Sequence, residues 1–471
     1  MQTVNKAKSY KVTEAMKNNA RRGLALREKW NRGGLSNSEA SDQGVGSGVQ
    51  RASDIISGSL SLESVKRMHA FFSRHEKNYK PKEKAPDGGP KAGEIAWLLW
   101  GGSAGRAWAR SILRQEDILK SYVKEITDDI KSIKVNEQIT LGYSSTSGLN
   151  IIYKEGLPFK DLNKNAVVDV YEDWRLDVNT RAKDLASKMS VEQIAGLMLY
   201  SGHQSIPMPP MGMFKASYGG KAFVESGAKP SDLTDQQIEF LKKDNLRHVL
   251  VTSLASPEVA AIWNNNVQKL VEGIGMGIPA NNSSDPRNGA NKDAEYNAGS
   301  GGAISQWPEE LGLAATFDPN ITLQFGSIAS KEYRALGIAT ALSPQIDLAT
   351  EPRWNRFVGT FGEDPNLATD MARAYVDGFQ TSPQAIKAYD GWGNYSVNAM
   401  VKHWPSGGPE EGGRDAHFAY GKFAVYPGNN FQMHLRTFTE GAFKLNGSTK
   451  KAAAVMPYYT ISYNQDTKNG E

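Results

Sequence analysis

The sequence predicts an α/β protein in which a small, mainly helical, basic domain precedes a barrel of alternating strands and helices. From about residue 177, short apolar runs alternate with helical stretches, and this many repeats in one unit favour a barrel over an open sheet. Residues 1–135 have an excess of about ten Lys and Arg, whereas the rest of the chain has an excess of about six Asp and Glu. We therefore predict a basic domain at 1–118, a polar linker at 119–152 and the barrel at 153–471.

The composition limits the classes of protein that need to be considered. A chain of 471 residues is longer than one ordinary domain. No stretch approaches the roughly 18 apolar residues that a membrane-spanning helix needs, so no membrane partner is expected. Residues 1–27 are rich in Lys and Arg without an apolar core, which is not typical of a secretory signal, and the localisation stays open. The chain has no cysteine, which excludes disulfides and thiolate metal sites.

The basic domain contains two predicted helical regions. Residues Ser61–His75 form the first, because Ser61 is a suitable cap, Glu63 lies in the first turn, and apolar residues follow at helical spacing. The second region comprises Ile95–Trp100 and Ala104–Leu113. The runs VQRASDIISG, VKRMHAFFSRHE and IAWLLWGGSAGRAWAR resemble small modules of phage-encoded proteins with no assigned function.

Basic residues of this domain give two alternatives for its partner. They could contact phosphates of a nucleic acid weakly, or they could form a solvated helix face followed by a Lys-rich loop. Charge by itself is a weak signal for nucleic acid and favours the second alternative. The residues are Arg67, His69, Arg74, Lys77, Lys80 and Lys82.

The predicted barrel begins with a helix at Arg181–Tyr200. Its candidate strands are His248–Thr252, Gly277–Asn281, Ala339–Leu348, Ala399–Lys402 and Ala452–Met456. The helices between them are Pro257–Ile274, Ile321–Gly337 and Asn366–Phe379.

Three polar clusters directly follow candidate strands. They are SSDPRNG at 283–289, EPRWNRFVGTFGEDP at 351–365 and VKHWPSGGPEEGGRDAH at 401–417. Side chains at the C-terminal ends of parallel barrel strands meet at one mouth. Carboxylates, Lys, Arg and His suit the paired hydroxyls of a sugar, and Trp suits its apolar ring face.

These clusters resemble glycoside hydrolase family 3, as do the later segments YPGNNFQMHLRTFTEGAF and AAAVMPYY. The resemblance extends from about residue 153 to the end. It implies a TIM-like (β/α) barrel that cleaves β-linked glucosides or related glycans from the non-reducing end by a retaining mechanism, with no required cofactor. Residue by residue, it implies that Asp285, Arg356, Lys402 and His403 bind hydroxyls of the terminal sugar. Asn355 and Ser406 stand where many members have Gly.

Retaining glycosidases need two carboxyl groups, a nucleophile and an acid/base. In the family the nucleophilic Asp follows a strand beyond the AVMPYY segment, and the usual acid/base Glu lies in a later domain. The resemblance therefore implies an incomplete, truncated barrel with negligible hydrolysis by the chain alone. The alternative is a catalytically defective carbohydrate-binding fragment fused to a phage-type, nucleic-acid-binding module. The sugar, the linkage and the origin of the fusion stay open.

Asp415 and His417 form an Asp-x-His pair in the third cluster. In the hexosaminidase branch of the family, an Asp-His pair serves as acid/base, with the Asp orienting the imidazole. Here the pair lies further from Lys402 and His403 than in that branch, which favours a contact within the loop.

The segment DLNKNAVVDVYE, residues 161–172, has the spacing of a calcium-binding loop. Its ligands would be Asp161, Asn163, Asn165, the carbonyl of Val167, Asp169 and Glu172. Ala166 stands where such loops need Gly, so a turn without metal is an equal alternative to a structural Ca²⁺ site.

Overall fold

The computed structural model describes residues 9–36, 38, 47–76, 79, 83–135, 139–155, 157–201, 216–251, 256–289, 303–382 and 389–465. The chain divides into two compact units, Met1–Val123 and Lys124–Glu471. The boundary lies five residues after the predicted end of the basic domain. In the described parts, no helix has the length and hydropathy needed to cross a membrane.

The first unit is mainly helical, as predicted. Two short strands, β1 (Ser9–Lys11) and β2 (Ser59–Ser61), pair antiparallel. The helices are α1 (Glu14–Trp30), α2 (Gly48–Ser57), α3 (Leu62–His75), α4 (Ala92–Leu99) and α5 (Gly102–Tyr122).

Helix α3 confirms the predicted Ser61 cap, because the Ser61 side chain accepts the N–H of Ser64. Its apolar face is buried, and the ring of Phe71 stacks on Trp100 with centroids 4.5 Å apart. Of the basic residues, Arg67 pairs with Glu63 on the exposed face of α3. Lys77, Lys80 and Lys82 lie outside the described residues. Nucleic-acid contact stays a prediction.

The structure corrects the predicted linker at 119–152. This range holds the end of α5 and the strands β3 (Val123–Glu125), β4 (Ile130–Lys134), β5 (Thr140–Ser144) and β6 (Asn150–Lys154). Strands β3, β4 and β5 form an antiparallel sheet, and β6 pairs with β7 (Leu157–Asp161). In the sequence, charged residues at exposed positions obscured the alternation of buried and exposed residues in these strands, in which Ile133 is buried. The second unit is completed by contacts to this range, such as the bond from the N–H of Ser144 to Glu272.

Among the described residues of the second unit, six strands form one parallel sheet, which agrees with an incomplete α/β barrel. Their order in the sheet is β14-β12-β11-β10-β9-β8. The strands are β8 (Tyr200–Ser201), β9 (His248–Leu250), β10 (Asn281–Ser284), β11 (Thr340–Ala341), β12 (Asn398–Trp404) and β14 (Ala454–Pro457). A separate pair, β13 (Phe423–Ala424) and β15 (Ile461–Ser462), is also parallel.

Two predicted strands differ from the observed ones. The strand predicted at Gly277–Asn281 is the polar β10, whose buried hydroxyls and amides find internal partners, as in the bond from Ser283 Oγ to the Val249 carbonyl. The strand predicted at Ala339–Leu348 is reduced to β11, because Pro344 has no N–H for the ladder. Residue Gln345 still forms an isolated bridge with Lys402.

The helices of this unit are α6 (Val178–Lys188), α7 (Val191–Leu197), α8 (Phe223–Ser226), α9 (Asp235–Lys242), α10 (Pro257–Glu272), α11 (Glu310–Ala314), α12 (Pro319–Ala335), α13 (Pro365–Gln380) and α14 (Phe431–Arg436). The single helix predicted at Arg181–Tyr200 is interrupted, because Ser190 and Gln193 form a capping box that starts α7. Helices α12 and α13 pack closely. A Cβ on Gly378 would lie 2.6 Å from the Leu323 carbonyl oxygen.

Candidate active site

Two strand ends bring Asp285 and Lys402 into contact. Asp285 directly follows β10, and Lys402 lies near the end of β12, so both occupy the same edge of the parallel sheet. The Lys402 Nζ atom lies 2.8 Å from Asp285 Oδ1, and both side chains are largely buried. Such a charge-assisted hydrogen bond fixes the carboxylate and the ammonium side by side.

Two buried side chains hold the main chain around Asp285 through hydrogen bonds. The Tyr333 hydroxyl donates to the Asp285 carbonyl (3.2 Å) and accepts the N–H of Arg287 (2.9 Å). The Arg287 guanidinium donates to Ser284 Oγ (2.6 Å) and to the Val251 carbonyl (2.5 Å). The SSDPRNG cluster is therefore a rigid support for the Asp285 carboxylate.

His403 is oriented by Asp347, a residue that the sequence analysis did not select. Asp347 Oδ2 lies 2.8 Å from His403 Nδ1, and Oδ1 accepts the N–H groups of His403 (3.1 Å) and Gly407 (2.6 Å). Asp347 is fully buried. Burial by itself raises the pKa of Asp347, but the interactions with His403 outweigh it and the pKa falls below its usual value.

The imidazole of His403 is neutral near pH 7. Its burial lowers the pKa to about 4, although Asp347 opposes this shift. With the proton on Nδ1 facing Asp347, the other ring nitrogen, Nε2, is an acceptor. Arg356 Nη1 lies 3.2 Å from it and donates. The four sugar-binding residues predicted by resemblance therefore form two contacting pairs, and these pairs are joined by the adjacent residues Lys402 and His403.

Asp415 and His417 form a second group beside the first. Asp415 Oδ1 lies 2.6 Å from His417 Nδ1, and Oδ2 accepts the indole N–H of Trp354 at 3.0 Å. The Tyr458 ring lies between the groups, with its centroid 4.4 Å from that of His403 and 6.2 Å from that of His417. The pair has the form of an Asp-oriented imidazole.

Glu410 is a fully buried carboxyl group in the third polar cluster. One of its oxygens accepts the N–H of Ala416 at 2.9 Å. Burial, and secondarily the charge of Asp415, raises the pKa of Glu410 to about 8. The group is therefore protonated in the folded protein at neutral pH.

This pKa predicts a specific dependence of stability on pH. The pKa of Glu410 in the folded protein exceeds its ordinary value of 4.5. The contribution of Glu410 to the free energy of unfolding is therefore fully present below pH 4.5 and is lost as the pH rises through about 8. The loss is roughly 1.4 kcal/mol for each pKa unit of the shift. We expect the melting temperature of Glu410→Gln to depend less on pH between pH 5 and 8 than that of the wild type. Thermal unfolding of both proteins across this range measures the difference. Parallel curves for the two proteins would contradict this assignment.

Comparisons with known proteins find similarity to glycoside hydrolases. A family model described as the glycosyl hydrolase family 3 N-terminal domain matches residues 220–457, about half of the chain. A periplasmic β-glucosidase/β-xylosidase from Dickeya chrysanthemi is 39% identical over 321 residues, covering 68% of this chain and 44% of the relative. Beta-glucosidase C from Emericella nidulans is 34% identical over 321 residues, covering 67% and 46%.

The chain thus spans less than half the length of these curated relatives. Among solved structures, a β-glucosidase from Erythrobacter marinus aligns with a TM-score of 0.45 and 23% identity. That alignment covers 62% of this chain and 33% of the other.

Proposed function

The chain belongs to glycosyl hydrolase family 3, and from that premise we propose that its barrel mouth binds the terminal sugar of a β-linked glucoside, xyloside or related glycan. The proposal rests on two side-chain contacts, Asp285 with Lys402 and Arg356 with His403. Lys402 and His403 are adjacent near the end of β12, which brings the two pairs together. The relative from Dickeya chrysanthemi, named as a β-glucosidase/β-xylosidase, supports this choice of sugars.

The four side chains suit neighbouring hydroxyls on one ring. The Asp285 carboxylate accepts hydroxyl protons, whereas the Lys402 ammonium and the Arg356 guanidinium donate to hydroxyl oxygens. Because these groups already contact one another, a sugar exchanges one set of charge-assisted hydrogen bonds for another. Burial keeps His403 neutral and Asp347 orients its ring, so that this side chain is positioned before the sugar arrives.

The reaction we propose for the family site is hydrolysis with retention of configuration, which needs a nucleophilic carboxylate and an acid/base. We assign none of the described residues as the nucleophile, so turnover by this chain alone should be negligible. Asp347 is fully buried and bound to His403, so we assign it to positioning. The Asp415–His417 pair is a candidate proton donor, because about a third of the His417 side chain is exposed. In a form of the protein that hydrolyses an aryl β-glucoside, His417→Ala should lower the turnover without changing glycoside binding.

Titration of the full chain with methyl β-D-glucoside and methyl β-D-xyloside tests the proposal, with mannitol as a control polyol. Saturable binding of at least one glycoside, observed by NMR, is the expected result. Hydrolysis of the corresponding aryl glycosides is measured in parallel. Absence of saturation for both glycosides in a folded sample would refute the sugar-binding assignment.

Two arginines of the same segment provide a matched pair of variants. Arg356 contacts His403, whereas Arg353 is exposed and pairs with Glu351. We expect Arg356→Ala to weaken glycoside binding by about ten- to a hundredfold, since hydrogen bonds from charged groups contribute about 1.5–3 kcal/mol. Arg353→Ala should bind as the wild type does. Equal affinities for the two variants would remove Arg356 from the site.

A further inference from the structure

We propose that residues 161–172 form a calcium-binding site, independent of sugar binding. This loop connects β7 to a short 3-10 helix at Val170–Glu172. Within the second unit, Tyr171 links this loop to residue Met276, because its hydroxyl donates to the Met276 carbonyl at 3.4 Å.

The first observation concerns the carboxylate of Asp161, which is fully buried. Its Oδ2 atom accepts the N–H of Ala166 at 3.1 Å, so the group is directed into the loop. Its Oδ1 atom is buried and has no hydrogen-bond donor among the described residues. Burying a carboxylate oxygen without a partner is unfavourable, and a bound cation would provide the missing interaction.

The second observation is that the loop presents further oxygens at calcium-loop spacing. Asn163 Oδ1 accepts the N–H of Asn165 (3.2 Å), and Asn165 Oδ1 accepts the N–H of Val167 (2.8 Å). An amide oxygen has two lone pairs, so each retains one for an ion. Ala166 has φ of +64°, in the left-handed region. The Ala at this position therefore still forms the turn for which calcium loops use Gly.

Two further carboxylates complete the set of candidate ligands. The Glu172 carboxylate is buried and accepts the N–H groups of Leu162 (2.7 Å) and Asp169 (3.0 Å), so both of its oxygens are held at the loop. Asp169 Oδ2 accepts the side-chain amides of Asn163 (2.7 Å) and Asn165 (2.8 Å). Binding of an ion would replace these two amide contacts of Asp169.

The ligand chemistry favours calcium over other metals. In the described residues, no group of three or more His, Asp or Glu side chains is by itself placed to hold a metal ion. The loop instead combines carboxylate, amide and carbonyl oxygens, the mixture that Ca²⁺ accepts in flexible coordination of six to eight ligands. Lys188, 3.6 Å from Asp169 Oδ1, offsets part of the negative charge. We therefore expect weak binding, in the range of about 10⁻⁴–10⁻³ M found for extracellular modules.

Calorimetric titration of the chelator-treated full chain with CaCl₂, and separately with MgCl₂, measures the site directly. Saturable binding of Ca²⁺ and a melting temperature higher in calcium than in chelator are expected. Asp161→Asn preserves the acceptor for Ala166 and should weaken calcium binding by about tenfold or more. The control is Asp177→Asn, because Asp177 also accepts backbone N–H groups but lies outside the loop. It should bind calcium as the wild type does.

A second variant tests the proposal if the Asp161→Asn protein does not fold. Glu172→Gln keeps one acceptor oxygen for the backbone N–H groups but has an NH2 group in place of the other oxygen and lacks the charge, so it should also lose the calcium-dependent rise in melting temperature. A wild-type melting temperature indifferent to calcium and chelator overturns the proposal. Calcium binding that is equal in the wild type and both loop variants also overturns it. Neither result bears on sugar binding, which is measured with glycosides.

Discussion

Asp285→Asn is expected to reduce glycoside affinity by about a hundredfold or more. The substitution keeps the shape of the side chain but removes the negative charge that accepts hydroxyl protons and pairs with Lys402. Because the Lys402 side chain is largely buried, its ammonium would lose its counter-charge, and the mouth would rearrange around it. Titration with the methyl glycosides, followed by NMR, measures the loss.

A matched variant separates this effect from a general loss of structure. Asp318→Asn changes a partly exposed helix-capping Asp at the start of α12, so it should leave glycoside affinity unchanged. Circular dichroism and thermal unfolding establish that both variants are folded. If a folded Asp285→Asn protein bound the glycosides with wild-type affinity, Asp285 would have no role in recognition.

Gly408→Ala is expected to produce the largest loss of stability, about 3 kcal/mol or more. A Cβ at this position would lie 1.7 Å from the Leu348 carbonyl oxygen, so the main chain has to move. The neighbouring N–H of Gly407 donates to Asp347, and Asp347 orients His403. The shift should therefore also weaken glycoside binding in any fraction that remains folded. Chemical denaturation measures the stability.

Gly142→Ala provides the control for this substitution. Apart from its two chain neighbours, a Cβ on Gly142, in β5, would meet no heavy atom of the described residues within 4 Å, and the backbone there is not left-handed. We expect its free energy of unfolding to stay within about 0.5 kcal/mol of the wild-type value. A Gly408→Ala protein as stable as Gly142→Ala would show that the close approach at Leu348 is readily relieved.

Local patterns predicted those elements whose signals lie in their own residues. The cap and apolar stripe of α3 and the alternation of strands with helices were both confirmed. Strand β10 was displaced in the prediction, because its sequence NNSS has no apolar pattern. Its strand conformation depends on parallel neighbours β9 and β11, which supply hydrogen bonds that no local pattern encodes.

In the candidate site, too, some features were predicted from local sequence and others depend on the tertiary structure. Asp285, Arg356, Lys402 and His403 were identified from motifs at strand ends, and the structure brings them into contact. Asp347 was missed, although a single acidic residue within the predicted apolar strand Ala339–Leu348 was an available signal. The protonated state of Glu410, in contrast, could not be predicted from the sequence, because it results from burial.

The sequence by itself indicated the α/β class through periodicity. Its motifs of contiguous residues carried the resemblance to the family, which in turn implied the four polar residues. Only the tertiary structure decided how the residues pair. Asp347 and His403, for example, are separated by 56 positions in the chain and meet 2.8 Å apart because β11 and β12 are neighbours in one parallel sheet. Hydrogen-bond partners, burial and the resulting pKa values follow from such long-range packing, which local sequence does not specify.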